Sequence, residues 1–469
     1  MTDLQSFDKL LSESEPLIEN LDHLPWETVS GLYSLYGELA KSATSNINRI
    51  NAEIRAIVCD RWDKILERVV DTLPDDFYDK IPDKPKCVLS PALSPVAETT
   101  NPIWINAHLL KGIGLSVYLL AKEFGARPTM LFGTKPEDYP FLSVLPDLKM
   151  EYLEHDREMA YAEYVKQYYS HMLKKFTRMD ALIFYGMYPA TLLYLNSYRK
   201  FRPDGKVYCM LDMNSDWMKR IPWDAVDIRK FGEQCDVLAT SCRYLRDELN
   251  RNPKVNFPCR WLPNAFYNPT DIEIIADSNY KENVILTVGR IGTWQKNSEE
   301  LLIAFAGVSN KLKDWILKLA GPIEPKFNDF IEKYFHARPE LRSSVIFTGE
   351  ITDKSKLYDE YAKAKIFILT SRVEAAPNVC VEALHHGCKF ITSNIDPADD
   401  ITNYGELGVI YKSGDINALS DALVKLCSNS DKEEFDRHIP KTAAYSEKYF
   451  KWNRNIKKLK FMLYGLYNE

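Results

Sequence analysis

The sequence predicts an α/β fold with two Rossmann-like domains preceded by a helical extension. Three observations support this prediction. After Pro85, short β-rich runs alternate with amphipathic helical segments, which is the pattern of a parallel, doubly wound sheet. The alternation pauses at "WLPNAFYNPT", where Pro263, Asn264 and Pro269 interrupt the chain, and then resumes. A chain of 469 residues is also longer than one hydrophobic core usually supports.

The predicted domains have four ranges. Residues 1–84 form the helical extension, 85–265 the first Rossmann-like domain, 266–442 the second, and 443–469 one closing helix. In the extension, apolar residues recur at three- and four-residue steps, which places them on one helical face. These residues are Ile47, Ile50, Ile54, Ile57, Trp62, Ile65, Val69 and Leu73. We expect this stripe to pack on the first domain; a homodimer through the same helices is the alternative.

Ten apolar runs predict the strands of the two sheets. The first-domain runs are "KCVLSP", "PTMLFG", "DALIFYG", "KVYCMLD" and "DVLATS". The second-domain runs are "NVILTVG", "WILKLAG", "VIFTGE", "KIFILT" and "CKFITS". Open α/β sheets bind ligands at the carboxyl ends of their strands, and two such domains are expected to face each other across a cleft. Functional residues should therefore lie in the loops that follow the strands.

The composition excludes several classes of protein. A net charge of -6 with 27% charged residues argues against general nucleic-acid binding. The sequence shows no cleavable leader and no apolar run long enough to cross a bilayer, so a cytoplasmic protein without stable membrane insertion is expected. Nine scattered cysteines, without a Cys-x-x-Cys pair, predict buried thiols rather than a metal cluster or a disulfide framework.

The loop after the strand "NVILTVG" carries a candidate anion site. Gly289 permits a tight exit from the strand, and Arg290 and Lys296 place two cations at the strand edge. Asn297 or Ser298 can cap the helix that follows. Fixed cations beside a helix terminus suit a pyrophosphate, although an Arg and a Lys near a loop also occur as ordinary solvated surface.

The stretch "SRVEAAPNVCVEALHHGCKFITSN" places two carboxylates, Glu374 and Glu382, across a strand, a loop and a helix. Pro377 suits the start of the helix, and the loop amides from Ala375 to Asn378, with Ala376 between them, form a positive terminus. Such a site can hold phosphate on the amides while Glu374 accepts sugar hydroxyls and Glu382 accepts the paired hydroxyls of a ribose. The alternative is a capped helix with an ordinary surface Glu382.

These motifs, together with "VIFTGEIT" and "YKSGDINALSDAL", resemble the retaining family-four glycosyltransferases of GT-B fold, also called glycosyl transferases group 1. The resemblance is close over residues 283–430 and looser over 85–265, where "KGIG" and "LPNAF" are compatible. It does not extend to residues 1–84. In that family a sugar moves from a nucleoside diphosphate with its anomeric configuration kept.

The resemblance implies a role for each motif residue of the second domain. Arg290 and Lys296 would hold the donor diphosphate and stabilise the charge that develops as the nucleotide leaves. Glu374 would orient the donor sugar, and Glu382 would bind the ribose. Gly289, together with Ala376, Pro377 and Asn378, would complete the donor-binding loops.

The first domain carries the rest of the implied site. Gly112 and Gly114 in "KGIG" match the glycine loop that faces the diphosphate or the acceptor. Asp212 ends the strand where the family often has a His, and a carboxylate can take over its hydrogen bond to a sugar hydroxyl. The sequence has no strand-ending Asp-x-Asp pair, so we expect no metal and no other cofactor, with the two cations in place of the metal.

The leading hypothesis is therefore a retaining hexosyltransferase that transfers a sugar from a nucleotide sugar, with UDP favoured, to a glycan or protein hydroxyl. One alternative is a catalytically silent GT-B subunit that binds glycan or protein and stabilises an active transferase. An epimerase or phosphorylase of the same architecture is a third hypothesis. The closing helix, "KYFKWNRNIKKLKFMLYGLY", has a basic, aromatic composition; we expect it to pack its aromatics on the first domain and leave its lysines in water rather than to lie on anionic lipid.

Overall fold

The computed structural model describes residues 4–46, 51–80, 84–90, 108–132, 140–153, 161–268 and 272–465. The chain forms two compact units: unit 1 comprises Met1–Pro263 and Trp452–Glu469, and unit 2 comprises Asn264–Lys451. Ile47, Ile50 and Pro269, which the sequence analysis singled out, lie outside the described residues.

Unit 1 contains a seven-stranded parallel sheet. Its strands are β1 Cys87–Ser90, β2 Arg127–Phe132, β3 Lys149–Tyr152, β4 Ala181–Tyr185, β5 Lys206–Leu211, β6 Val237–Thr240 and β7 Cys259–Trp261. They lie in the order β3-β2-β1-β4-β5-β6-β7. Among the described residues, the helices of unit 1 before its last strand are α1 Leu4–Glu19, α2 Trp26–Ser45, α3 Ala52–Thr72, α4 Gly112–Phe124, α5 Tyr161–Leu173, α6 Pro189–Phe201, α7 Ser215–Met218, α8 Val226–Gln234 and α9 Arg243–Arg251. The predicted doubly wound sheet is confirmed.

Strands β5 and β6 of unit 1 are buried along their whole length. Every residue of β5 is buried, and Val207, Cys209 and Leu211 share one core cluster with Leu182 and Phe184 of β4. A strand covered by helices on both faces needs apolar residues at successive positions, which explains why "KVYCML" is a continuous apolar run rather than an alternating one.

The helical extension packs on unit 1. Ile54, Trp62, Ile65 and Val69 of α3 are buried, as the stripe predicts. Ile57, which the prediction also included, is instead 42% exposed. The buried side chains of α3, Val58 among them, lie on one face of the helix, and position 57 falls on the opposite, exposed face with Glu53 and Lys64.

Buried ion pairs and hydrogen bonds hold α3 against α9 and β7, at one edge of the sheet. Arg55 donates to four backbone carbonyls at the end of α9 and just after it, at 2.6–3.0 Å. Asp63 accepts from Arg246 at 3.1 Å, from Arg260 at 2.7 Å and from the backbone N–H of Trp261 at 3.0 Å. The extension is therefore part of the unit 1 core rather than a separate appendage.

Unit 2 contains a six-stranded parallel sheet. Its strands are β8 Glu282–Val288, β9 Ile316–Ala320, β10 Val345–Gly349, β11 Ala364–Leu369, β12 Lys389–Ser393 and β13 Gly408–Tyr411. They lie in the order β10-β9-β8-β11-β12-β13, so the order reverses between β8 and β11. The helices of unit 2 are α10 Ser298–Val308, α11 Asn328–Ala337, α12 Lys354–Lys363, α13 Asn378–His385, α14 Ala398–Thr402, α15 Ile416–Ser428 and α16 Lys432–Tyr449. Ligands of such sheets bind where the order reverses.

The end of the chain differs from the single helix expected after Ala443. α16 ends at Tyr449, and a further helix, α17, spans Trp452–Tyr464. The N–H of Phe266 donates to the carbonyl of Phe450 at 2.8 Å, and Phe266 forms a parallel bridge with Lys451. This pairing draws the backbone at residues 450–451 out of the helix.

α17 belongs to unit 1 and packs its aromatic residues inward, as expected, with Trp452 and Phe461 both buried. The expectation that its lysines lie in water is wrong for two of them. Lys458 is buried in an ion pair with Glu67 at 2.5 Å, and Lys460 is buried in one with Glu123 at 3.2 Å. Among the described residues, no helix has the length and apolar character needed to cross a membrane.

Candidate functional site

In unit 2, three neighbouring strands end in glycine at the carboxyl edge of the sheet. Gly289, Gly321 and Gly349 follow or end β8, β9 and β10, and their backbones are joined by hydrogen bonds from strand to strand. A Cβ on Gly321 would lie 1.9 Å from the carbonyl oxygen of Gly289, and a Cβ on Gly289 would lie 3.3 Å from Cε of Lys296. Gly289 and Gly321 therefore allow the ends of β8 and β9 to approach closely, and Gly289 lies beside the point where the strand order reverses.

Lys296 and Glu374 form an ion pair across this point, with 2.5 Å between Nζ and Oε1. Ser371 Oγ donates to the same carboxylate oxygen at 2.8 Å, and Glu374 is 9% exposed. Thr370 Oγ1 donates to the carbonyl of Lys296 at 3.0 Å, which fixes the loop after β8 against the loop after β11. The structure thus brings together two residues that the sequence predicts for one site.

Arg290 lies at the exposed side of the same loops. Its guanidinium donates to Gln295 Oε1 at 2.8 Å, while the Gln295 amide donates to the carbonyl of Val373 at 3.1 Å. The backbone N–H of Arg372 donates to the carbonyl of Gln295 at 2.8 Å. Sequence reasoning missed Gln295, which connects the two loops, because its partners follow a different strand and no local pattern marks them.

The start of α13 supplies the predicted helix terminus. Asn378 is its first residue, with Pro377 at the N-cap, and the first N–H groups of a helix have no partner within it. Asn264 Nδ2 donates to the carbonyl of Ala376 at 3.4 Å. The Oδ1 atoms of Asn264 and Asn378 are buried and accept no hydrogen bond within the described part of the chain. The amides at the start of α13 suit a bound anion, whereas the two Oδ1 atoms are acceptors and suit a hydroxyl donor.

One capping expectation is wrong. Asn297 has a left-handed backbone, φ 53°, and its side chain makes no capping bond to α10. It instead donates to the Glu300 carboxylate, which also accepts the N–H of Gly414 at 3.1 and 3.2 Å. Ser298 Oγ accepts from the N–H of Gly292 at 3.0 Å. Both side chains therefore tie the loop to its neighbours rather than cap the helix.

Glu382 is held by α12. Lys354 Nζ donates to one carboxylate oxygen and Tyr361 Oη donates to the other, each at 2.8 Å. Burial, followed by the charge of Glu382, raises the pKa of the Tyr361 hydroxyl well above its usual range, so it stays a donor. Lys354 and Tyr361 were missed because nothing in the sequence links them to a residue that lies more than twenty positions further on.

Unit 1 carries a separate group at the carboxyl edge of its own sheet. Tyr185, the last residue of β4, donates its hydroxyl hydrogen bond to Asp212, which directly follows β5. The His108 ring lies 5.6 Å from the Tyr185 ring, centroid to centroid. Burial, followed by the charge of Lys111, lowers the pKa of His108 to about 3, so its imidazole is neutral. The sequence predicted Asp212 but not His108 or Tyr185.

The glycines of "KGIG" lie beside this group. α4 begins at Gly112, and a Cβ on Gly114 would lie 2.3 Å from the carbonyl oxygen of Leu109. Gly114 therefore permits a close turn between His108 and α4. Across the residues that the structure describes, no cluster of three His, Cys, Asp or Glu side chains is arranged to hold a metal ion.

Comparison with known proteins defines the class to which this fold belongs. HepE from Anabaena, solved in complex with UDP and glucose, superimposes with a TM-score of 0.56 at 13% sequence identity, over 81% of this chain and 100% of that chain. The two parallel sheets with flanking helices have the GT-B fold.

Residues 270–444 match the family model of glycosyl transferases group 1, so unit 2 contains a domain of that family. An uncharacterized glycosyltransferase from Haemophilus influenzae is 26% identical over 152 residues, 32% of this chain and 41% of that protein. The capsular polysaccharide biosynthesis glycosyltransferase CapM from Staphylococcus aureus is 26% identical over 155 residues, 33% of this chain and 39% of that protein. The chain thus spans about two fifths of the length of the curated relatives it matches.

Proposed function

We propose that the protein is a retaining glycosyltransferase that moves a hexose from a nucleoside diphosphate, UDP favoured, to a hydroxyl of a glycan or protein. The observation that carries the proposal is the ion pair of Lys296 with Glu374, with Arg290 beside it, at the reversal of strand order in unit 2. The group 1 match over the same residues and the UDP named in the HepE complex support this choice of donor.

The charges of this edge suit departure of a nucleotide. Transfer breaks the bond between the anomeric carbon and a diphosphate oxygen and leaves negative charge on that oxygen. Arg290 and Lys296 would stabilise this charge, together with the amides at the start of α13. In this proposal the two cations fulfil the role that a metal ion has in other diphosphate sites, and no cofactor is needed.

The two carboxylates would hold the sugar and the ribose. Glu374, oriented by Lys296 and Ser371, has an oxygen that neither of them contacts and that can accept donor-sugar hydroxyls. Glu382 would accept the ribose hydroxyls, with Lys354 and Tyr361 keeping its carboxylate in place. In unit 1, Asp212 would bind a sugar hydroxyl while Tyr185 orients it.

Calorimetric titration with UDP, UDP-glucose, GDP-glucose and ADP-glucose tests the donor class. We expect UDP to bind the wild-type chain and Glu382→Ala to bind it about tenfold or more weakly, since a charged hydrogen bond contributes about 1.5–3 kcal/mol. Glu360→Ala is the matched control, because it removes a carboxylate of α12 that also pairs with a lysine. Equal affinity of Glu382→Ala and wild type for UDP would exclude the ribose role.

Activity separates the enzyme from the other hypotheses. Slow release of free sugar from UDP-glucose in the absence of an acceptor, with its anomeric configuration kept, is expected of a retaining transferase. Binding of UDP without any turnover, with or without glycan acceptors, would favour the silent GT-B subunit. Turnover that requires inorganic phosphate would favour a phosphorylase.

A further inference from the structure

The opposite edge of the unit 1 sheet contains a basic cavity that has no part in the proposed transfer. Its volume is about 310 Å³, and it lies where β1, β2 and β3 begin with Cys87, Arg127 and Lys149. The proposed sugar-handling residues Tyr185 and Asp212 lie at the carboxyl ends of strands in the same sheet. Because all of these strands are parallel, the cavity and those residues lie at opposite ends of the strands.

Cations dominate the wall of the cavity. The basic lining residues are Arg127, Lys149, Lys174, Lys175 and Arg178. One carboxylate, Glu151, also lines it and pairs with Lys149 at 2.8 Å, with His171 at 3.2 Å and with Lys175. Five cations and one carboxylate leave an excess of positive charge in a chain whose net charge is -6.

Three of the five cations have no counter-charge in the part of the chain that the structure describes. Within the described residues, the side chains of Arg127, Lys174 and Arg178 make no hydrogen bond or ion pair. Burial, followed by the charge of Lys149 and in part that of Arg178, lowers the pKa of Lys175. Burial and the charges of Lys174 and Lys149 lower the pKa of His171 in the same way. The cations therefore repel one another, and a bound anion would relieve this repulsion.

We propose that this cavity is a binding site for a compact phosphate-bearing small molecule, separate from the donor site. Two guanidinium groups that have no carboxylate partner among the described residues suit phosphate oxygens, which they can bind in bidentate fashion. The positive charges converge on a concave cavity of small-molecule size rather than spreading over a flat face, which favours a small ligand over a membrane surface. The proposal does not depend on the transferase activity.

Inorganic pyrophosphate is the probe for this site. The full-length double variant Arg127→Gln/Arg178→Gln should bind pyrophosphate about tenfold or more weakly than wild type at low ionic strength. The double variant Lys200→Gln/Lys230→Gln removes two exposed cations of unit 1 outside the cavity and should stay within about twofold. All four residues are exposed, so neither double variant should lower the melting temperature without ligand.

Hydrogen exchange locates the bound probe. Pyrophosphate should protect peptides covering residues 145–152 and 172–180 in wild type and in Lys296→Ala, but not in Arg127→Gln/Arg178→Gln. Protection confined to residues 289–297, or equal losses of affinity in both double variants, would overturn the proposal. Flotation with anionic phosphatidylglycerol vesicles that pyrophosphate does not reverse, and that Arg127→Gln/Arg178→Gln abolishes, would reassign the surface to a membrane and overturn it as well.

Discussion

The two units have sheets of the same strand order but place different chemistry at equivalent positions. In both, the order reverses between the first and the fourth strand. The loops at this point carry two cations and a buried carboxylate in unit 2, whereas unit 1 has a tyrosine hydroxyl, a carboxylate and a neutral imidazole. The comparison teaches that topology determines where a ligand binds and that the loops determine which ligand it is.

The units also differ in how they are held together. Unit 2 is one continuous stretch, Asn264–Lys451, while unit 1 adds three helices before its sheet and α17 from the end of the chain. Buried charged side chains hold the added helices in place. Unit 1 can tolerate these charges because they have charged partners or, at Arg55, four backbone carbonyls as acceptors. Loss of a buried ion pair in unit 1 is therefore expected to have the largest effect of the mutations considered below.

Asp63→Ala should lower the free energy of unfolding of unit 1 by about 3–5 kcal/mol, because it leaves Arg260 buried without a carboxylate and weakens the pairing of Arg246. Urea unfolding with hydrogen exchange of residues 243–261 measures the loss. Asp71→Ala, which removes a half-exposed partner of Arg454, is the control and should cost under about 1 kcal/mol. A loss as small as in the control would make the extension an appendage.

Lys296→Ala tests the chemistry assigned to unit 2. Turnover of UDP-sugar should fall about a hundredfold, with a smaller loss of donor affinity, because the cation acts mainly on charge that develops during departure of the nucleotide. Steady-state and binding measurements separate the two effects. Lys318→Ala is the control in the same unit. It breaks the 2.6 Å ion pair of Lys318 with Glu360 and should leave turnover within a few fold of wild type. Equal losses in turnover and affinity would indicate simple binding of the donor.

Asp212→Asn tests the chemistry assigned to unit 1. Transfer should fall about tenfold while UDP affinity stays unchanged, since the residue is proposed to hold the sugar and not the nucleotide. Tyr185→Phe should have a similar but smaller effect, because it removes only the hydrogen bond to Asp212. Asp204→Asn, at an exposed carboxylate of the same unit, is the control. Wild-type transfer by Asp212→Asn would make Asp212 a structural residue.

The smallest effect concerns acid stability. Burial lowers the pKa of His438 in unit 2 to about 4 from the ordinary 6.5, so between these values the unfolded chain binds more protons than the folded one. Stability should therefore rise with pH through this window and level off above it. Between pH 6.5 and 5, the free energy of unfolding should fall by about 1–2 kcal/mol less in His438→Gln than in wild type. Urea unfolding at several pH values measures this difference, and His336→Gln, at an exposed histidine, is the control. If the free energy of unfolding of His438→Gln depends on pH as in wild type, His438 is not buried in its neutral form.

The pattern of the sequence predicted central strands better than edge strands. β3 and β13 lie at sheet edges, where a strand needs no continuous apolar run, and "KMEY" and "GVIY" gave too little signal. β7 was missed because Arg260 interrupts its three buried residues, and only the partner Asp63 makes a buried arginine tolerable. Polar partners from distant parts of the chain leave no local pattern.

The same reason limits prediction of the candidate sites. Gly289, Lys296 and Glu374 were found because they occupy loops directly after strands, where the motifs are local. Gln295 and Tyr361 act through hydrogen bonds to residues brought near only by folding, so their types and spacing carry no signal. The roles themselves stay predictions until the variants above are measured.

Glu67 and Arg454 form an ion pair although they lie 387 positions apart, and this separation affects the order in which the two units fold during synthesis. A ribosome adds about 5–20 residues each second, so α3 waits on the order of half a minute for its last partner. All of unit 2 is translated during that interval, and unit 2 can fold while unit 1 still lacks α17. We therefore expect a released chain that ends at Lys451 to contain a protease-resistant unit 2 and a unit 1 that chaperones still recognise.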